Sequence, residues 1–301
     1  MHGMKKEILC IMLFLPTVFT TSLAWAAWQP GKTLYQKDSI YQTLTVSQEG
    51  TVIELYGGRN CFSAIDTVKP YHHVLEYTGM MIMGTAYVEN PQAVLMIGLG
   101  GGTVANYLRK YYPDLKMTMV ELDETVLECS QKFFHFKTDD KMQVVIEDGR
   151  RYLMKDKAKY DLILLDAYYG DYIPFHLLTK EFLAIVKDHL QPNGIVVSNT
   201  WSAQKLYERE SATYADVFGH FDSYLGKRSG NRIIITSKNG ENADESALRQ
   251  RMVNTQANIQ FTELNLPELF EKTYDRNLKW PKETPILTDD YAPVNTLVEQ
   301  R

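Results

Sequence analysis

Four positions in this 301-residue chain carry groups whose types and spacing could do chemistry together. Gly98-Leu99-Gly100-Gly101-Gly102-Thr103 stands directly after the apolar run Ala93–Ile97 and before a helical pattern. Glycines there let the backbone approach a ligand, and the start of the helix offers free N–H groups. Glu121 closes the next apolar run, about 20 residues on, where a carboxylate can accept from both hydroxyls of a ribose. Its plainer duty would be as a surface acid in Glu121-Leu122-Asp123-Glu124, where Asp123 or Glu124 caps the next helix. Asp148-Gly149 follows a third run. That carboxylate can accept from an adenine amino group while the neighbouring N–H meets a ring nitrogen, or it can cap a helix from Arg150. Asp166 ends a fourth run, and the carboxyl ends of central strands face the ligand crevice of open α/β sheets. Its plainer duty would be to satisfy loop N–H groups. Loop and acids together point to a ribose-bearing ligand.

The elements that would position these groups alternate. The spacing predicts strands at 93–97, 116–122, 142–146, 160–166 and 194–199. It predicts helices at 104–112, 124–133, 150–155 and 179–189. Strands apolar on both faces and separated by helices mean a parallel sheet covered on both sides. Two later runs, around 217–225 and 232–236, can add closing strands. Ahead of this rhythm lies a small β unit within 33–66, with strands at 39–46 and 51–56 around the turn Gln48-Glu49-Gly50. A helix is expected over 71–86, opened by Tyr71-His72-His73. Adjacent histidines point in different directions on a helix, so they chelate poorly together and are read as solvent-facing. No other His, Cys or Asp spacing suggests a metal site. The tail from Asn242 is polar and partly helical.

Composition bounds the class. Hydrophobic residues make up 45% and charged residues 23%, as in ordinary soluble globular proteins. At the amino end, Lys5-Lys6, the apolar run 8–15 and Leu23-Ala24-Trp25-Ala26 make the pattern of a secretory signal peptide cut after Ala26. Pro16 and the Thr/Ser cluster at 20–22 interrupt the apolar run, which disfavours a spanning helix. An uncut leader would anchor the chain to a membrane; a cut one leaves no stable membrane insertion. The protein is therefore expected to be exported, periplasmic or extracellular. The formal net charge is −5, and a cut leader removes two lysines and one glutamate. An acidic chain without a basic stripe is not a nucleic-acid binder. Cys61 and Cys129 remain, better read as two buried free thiols than as a disulfide framework.

The order of the motifs resembles the spermidine synthase (polyamine aminopropyltransferase) family, over about 34–199, within the superfamily that also holds class I S-adenosylmethionine-dependent methyltransferases. Ser39-Ile40-Tyr41-Gln42 looks like the family's S-x-Y-Q strand, whose glutamine contacts the nucleoside. Tyr71-His72 is similar to its Tyr-His/Gln pair beside the substrate groove. Ile97 to Thr103 falls on its glycine loop, Glu121 on its ribose acid, Asp148-Gly149 on its adenine site and Asp166 on its catalytic aspartate. The resemblance implies an α/β fold: a Rossmann-like, seven-stranded, mainly parallel sheet with a small N-terminal β domain. The division would be a leader at 1–26, the small domain at 27–70, the nucleoside-binding catalytic domain at 71–240 and an extension at 241–301, with a homodimer as the common assembly.

The same resemblance implies transfer of an aminopropyl group from decarboxylated S-adenosylmethionine to a small amine, without a metal. Asp166, helped by Tyr71, would orient the amine and take its proton. Gln42, Gly98, Gly100, Gly101, Glu121, Asp148 and Gly149 would hold the nucleoside. His72, Tyr169 and Asp171 would line the amine side. The chain departs from the family at three acids. Gly101 stands where the loop usually carries an aspartate that binds the donor's amine. Tyr169 stands where a second acid follows the catalytic aspartate, and His73 where an acid follows the Tyr-His/Gln pair. Asp171 is the candidate replacement. Two rival functions stay open: methyl transfer from S-adenosylmethionine itself, its carboxylate received by N–H groups near Gly101, and an exported binding protein without catalysis.

Overall fold

The computed structural model describes residues 31–168, 173–202, 204–240 and 243–293. The N-terminal unit is a four-stranded antiparallel sheet: β1 (Lys32–Asp38), β2 (Thr43–Glu49), β3 (Val52–Gly57) and β4 (Asn60–Asp66), in that order. Only two of these strands were expected. β1 escapes because six of its seven residues are exposed, so no apolar alternation marks it. Ser39-Ile40-Tyr41-Gln42 is a turn rather than a strand. The Ser39 N–H donates to Gln42 O at 2.9 Å, and the Ser39 hydroxyl caps the turn from within.

The larger sheet has seven strands in the order β10-β11-β9-β8-β5-β6-β7. These are β5 (Ala93–Ile97), β6 (Lys116–Glu121), β7 (Met142–Ile146), β8 (Tyr160–Leu165), β9 (Leu190–Trp201), β10 (Asp222–Leu225) and β11 (Asn231–Ser237). All neighbouring pairs are parallel except those made by β11, which runs against both β9 and β10. The helices are α1 (Glu76–Ile82), α2 (Thr103–Tyr111), α3 (Glu124–Phe133), α4 (Gly149–Lys155), α5 (Lys180–Asp188), α6 (Gln204–Phe218), α7 (Glu245–Ile259) and α8 (Leu266–Thr273).

Strands buried on both faces divide their side chains between two cores. Val94 and Met96 of β5 join α1, α2, α7 and α8 on one side; Leu95 and Ile97 join α4, α5 and α6 on the other. A third cluster fastens the small sheet to the large one. Leu44, Val46, Leu55 and Ile65 pack on Val126 and Cys129 of α3 and on Phe134 just beyond it.

Several boundaries differ from expectation. The helix predicted over 71–86 begins at Glu76, because Leu75 is extended, and it ends as a 3-10 turn, Met83–Ala86. Val217 and Phe218 finish α6, and only 222–225 forms the closing strand. The polar tail is not peripheral: Leu248 and Met252 of α7 and Leu266 and Phe270 of α8 are fully buried. Among the described residues no helix is long and apolar enough to cross a membrane. The leader at 1–26 lies outside the described residues.

Candidate active site

The order of the large sheet reverses at β5, which has β6 on one side and β8 on the other. A crevice opens at the carboxyl ends of strands at such a point. Here it is lined by Gly98 and Gly100 of the glycine loop, Glu121 at the end of β6, Asp148 and Gly149 after β7, and Asp166 after β8. Tyr41, Gln42 and Phe62 close it from the small sheet, and Pro174, His176 and Leu177 from the segment before α5.

Gly98 is the position where only glycine serves. Its φ is +94°, and a Cβ would stand 2.2 Å from the carbonyl oxygen of Asp166. Parallel pairing sets Ile97 beside Leu165, and the Asp166 N–H donates to Ile97 O at 2.8 Å. The loop and the acid are thus held edge to edge.

Glu121 is 8% exposed. One carboxylate oxygen accepts from Leu99 N at 2.9 Å, the other from Asp123 N at 3.0 Å. Each oxygen keeps a lone pair for a further donor, which suits a pair of vicinal hydroxyls. Burial raises its pKa, and the two N–H donors hold it back.

Asp148 caps a helix and also lines the crevice. One oxygen caps α4 through Arg151 N at 2.9 Å. The other meets His176 Nε2 at 2.8 Å, and that bond, ahead of burial, holds its carboxyl below the usual range.

Asp166 is half-buried, and desolvation raises its pKa from 3.8 to about 7. Opposing this, Asn199 Nδ2 donates to Oδ1 at 2.8 Å, and the Tyr77 hydroxyl lies close enough to favour the ionised form. A carboxyl that titrates near neutrality beside a crevice can take up and release a proton at physiological pH.

Other sequence-predicted positions fall elsewhere. Tyr71, assigned to help Asp166, is not among the residues that line the crevice. The Nζ of Lys110, near the far end of α2, lies 4.1 Å from its ring centroid. Tyr77, six residues on and seated in α1, takes the place beside Asp166. Its single hydroxyl proton is directed at Phe62 O at 2.8 Å, so Asp166 can only share it. His72 is exposed and is not among the lining residues. His73 is not solvent-facing: its ring packs on Tyr107 with centroids 4.4 Å apart, and burial pushes its pKa down to about 4. Gly101 faces away from the crevice. Its N–H donates to Ser63 Oγ at 2.7 Å, and a Cβ would meet Phe134 at 2.5 Å. An aspartate could not stand there unless Phe134 moved. Tyr169 and Asp171 lie outside the described residues.

Tyr77, His176 and Asn199 are among the lining or abutting groups that sequence reasoning missed. Asn199 carried a usable signal, since it lies near the carboxyl end of β9 as Asp166 does for β8. Cys61 and Cys129 are both free, and burial pushes their thiols up to about 12 and about 11, which leaves them inert. Among the described residues no cluster of His, Cys, Asp or Glu could hold a metal ion.

Residues 70–224 match the model of the spermine/spermidine synthase domain. A polyamine aminopropyltransferase of Vibrio vulnificus is 36% identical over 228 residues, which is 73% of this chain and 75% of that protein. Among solved structures, a probable spermidine synthase from Corynebacterium glutamicum superposes with a TM-score of 0.64 at 21% identity, covering 73% of this chain and 86% of that one. Human methyltransferase-like protein 13, in complex with SAH, superposes with a TM-score of 0.58 at 24% identity, covering 62% of this chain and 93% of that one. Both structural likenesses establish the fold, that of methyltransferase-like proteins.

Proposed function

We propose that this chain, which belongs to the spermine/spermidine synthase family, is a transferase that moves an aminopropyl group from decarboxylated S-adenosylmethionine to a small amine. One observation carries the reading: Glu121, Asp148 and Asp166, from three different strands, line a single crevice with the glycine loop at the sheet's reversal point.

Each wall has a task in that reaction. Glu121 would hold the ribose hydroxyls. Asp148, fixed by His176, would take the adenine amino group, and Gln42 would close over the nucleoside. Asp166 would face the sulfonium substituent. An alkylamine has a pKa of about 10, so at neutral pH it arrives protonated and unreactive. Asp166 would orient the amine and accept its proton, steadied by Tyr77. The amine nitrogen then bonds to the aminopropyl carbon. The carbon–sulfur bond breaks, and its electron pair stays on sulfur, which leaves as a neutral thioether. In-line alignment of nitrogen, carbon and sulfur supplies much of the acceleration.

Methyl transfer drew its support from the missing loop aspartate, which would leave backbone N–H groups near Gly101 to receive the methionine carboxylate. The Gly101 N–H is already given to Ser63, and Gly101 does not line the crevice. That N–H is therefore not the receiver, and the family supports aminopropyl transfer over the rivals. Incubation with the decarboxylated donor and a panel of mono- and diamines, followed by mass spectrometry, tests it. An aminopropylated product is expected from wild type and none from Asp166→Asn. Absence of product with every amine, or transfer only of methyl from S-adenosylmethionine, overturns it.

We also propose that the chain works outside the cytoplasm, on the strength of the leader pattern at 1–26. The amino-terminal sequence of the mature protein should begin at Ala27; a start at Met1 would refute this.

A further inference from the structure

Asp166 is held by a relay that crosses the sheet. It follows β8, Asn199 lies in β9 and Asn231 opens β11. These strands are neighbours in the sheet. Pairing sets Asn199 opposite Ile233, with Asn231 two residues earlier on the same face. Diagonal pairs of this kind lie within side-chain reach. The Asn231 amide donates to Asn199 Oδ1 at 2.8 Å, and the Asn199 amide donates to Asp166 Oδ1 at 2.8 Å. Asn199 is 4% exposed and Asn231 8%, so little solvent competes for these bonds.

An asparagine amide has a donating end and an accepting end. Turned half a revolution, Asn199 would set its carbonyl against Asp166. That carbonyl repels a carboxylate and accepts only from the protonated acid. The donor that Asn231 aims at the Asn199 carbonyl opposes that turn, because Asn199 can keep this bond only if Asn231 turns with it. We propose that Asn231, 65 residues after Asp166 in the chain, is the positioning residue that fixes which end of Asn199 meets Asp166, and so keeps Asp166 able to take a proton from the amine. This role rests on Asp166 being the proton acceptor described above.

Among the described residues, the other groups facing the acid are Tyr77 from α1, Glu121 from β6 and Tyr168 from its own loop. Glu210 of α6 interacts with Tyr168 from behind, and Arg232 of β11 with Glu210. Burial and Glu121 favour the protonated acid; Tyr77 and Asn199 favour the ionised one. The contribution of Asn199 changes sign with its orientation, which makes Asn231 a lever on the titration.

Two uncharged replacements test this. Asn231→Leu removes the donor without adding charge. Asn231→Ala also removes the donor without adding charge, and it carries the test if the leucine variant fails to fold. Two readouts apply: the pH profile of kcat/KM for aminopropyl transfer, and the titration of Asp166 followed by 13C NMR of carboxyl-labelled aspartate, assigned with Asp166→Asn. The acidic limb and the NMR midpoint should both rise by about one pH unit or more, with affinity for the thioether nucleoside unchanged within about twofold, since neither variant touches that ligand. Midpoints that coincide with wild type in both variants overturn the proposal. The NMR titration decides the relay even if no amine is found to react, in which case it is the proposed transfer that fails.

Discussion

Asp166→Asn should make the protein more stable in alkali while abolishing its turnover. The folded carboxyl titrates at about 7 against an ordinary value of 3.8, with burial as the main cause. The folded state therefore prefers the protonated acid. Below about pH 4 the group is protonated in both the folded and the unfolded chain and costs nothing. As pH rises towards 7, the unfolded chain releases its proton and the folded chain does not, and stability falls. Above 7 the full cost is present. The gap of roughly three pH units corresponds to an upper bound of about 4 kcal/mol at about 1.36 kcal/mol per unit. Asparagine keeps the shape and can still accept from Asn199, but it never ionises. Urea unfolding of the nucleoside-free protein, followed by circular dichroism, should show the variant more stable than wild type by up to about 4 kcal/mol near pH 8.5 and equal to it near pH 4. Product formation should vanish while nucleoside affinity stays within a few-fold. A variant no more stable than wild type at alkaline pH would refute the raised proton affinity. Normal turnover would remove Asp166 from the chemistry.

Three further outcomes follow from contacts in the site. Gly98→Ala forces a Cβ to 2.2 Å from Asp166 O at a φ of +94°. It should cost on the order of 3 kcal/mol in unfolding free energy, and a loss below about 1 kcal/mol would mean the loop can shift freely. His176→Ala removes the bond that orients Asp148 and lowers its proton affinity. Calorimetry should show nucleoside affinity weakened about tenfold, and an unchanged affinity would detach this pair from the base site. Gly101→Ala and Phe134→Ala should each destabilise the fold, but the double variant should recover about 1 kcal/mol or more of the summed loss, because the new methyl occupies space the phenyl vacates. Strict additivity of their unfolding energies would show that the two sites do not meet.

The reach of sequence alone followed the range of the forces involved. Residues whose setting is decided by neighbours in the chain were legible. Gly98 and Gly100 at the mouth of β5, Glu121 ending β6, Asp148 after β7 and Asp166 after β8 each follow an apolar run, and parallel topology gathers all such ends on one edge. Where a side chain points, and what it meets, was decided by contacts remote in sequence. A Tyr-His pair drew attention to Tyr71, but the helix starts at Glu76, and that start seats Tyr77 beside Asp166. Gly101 belongs to the loop by spacing, yet the loop's curvature turns it towards Phe134, a residue 33 positions on. β1 was invisible because an edge strand exposed on both faces carries no alternation, and only its ladder to β2 makes it a strand. Asn231 carries no local signal at all. It meets Asn199 because β11 runs antiparallel to β9 in one register, and a side-chain period of two means that a slip of one residue would turn it to the opposite face.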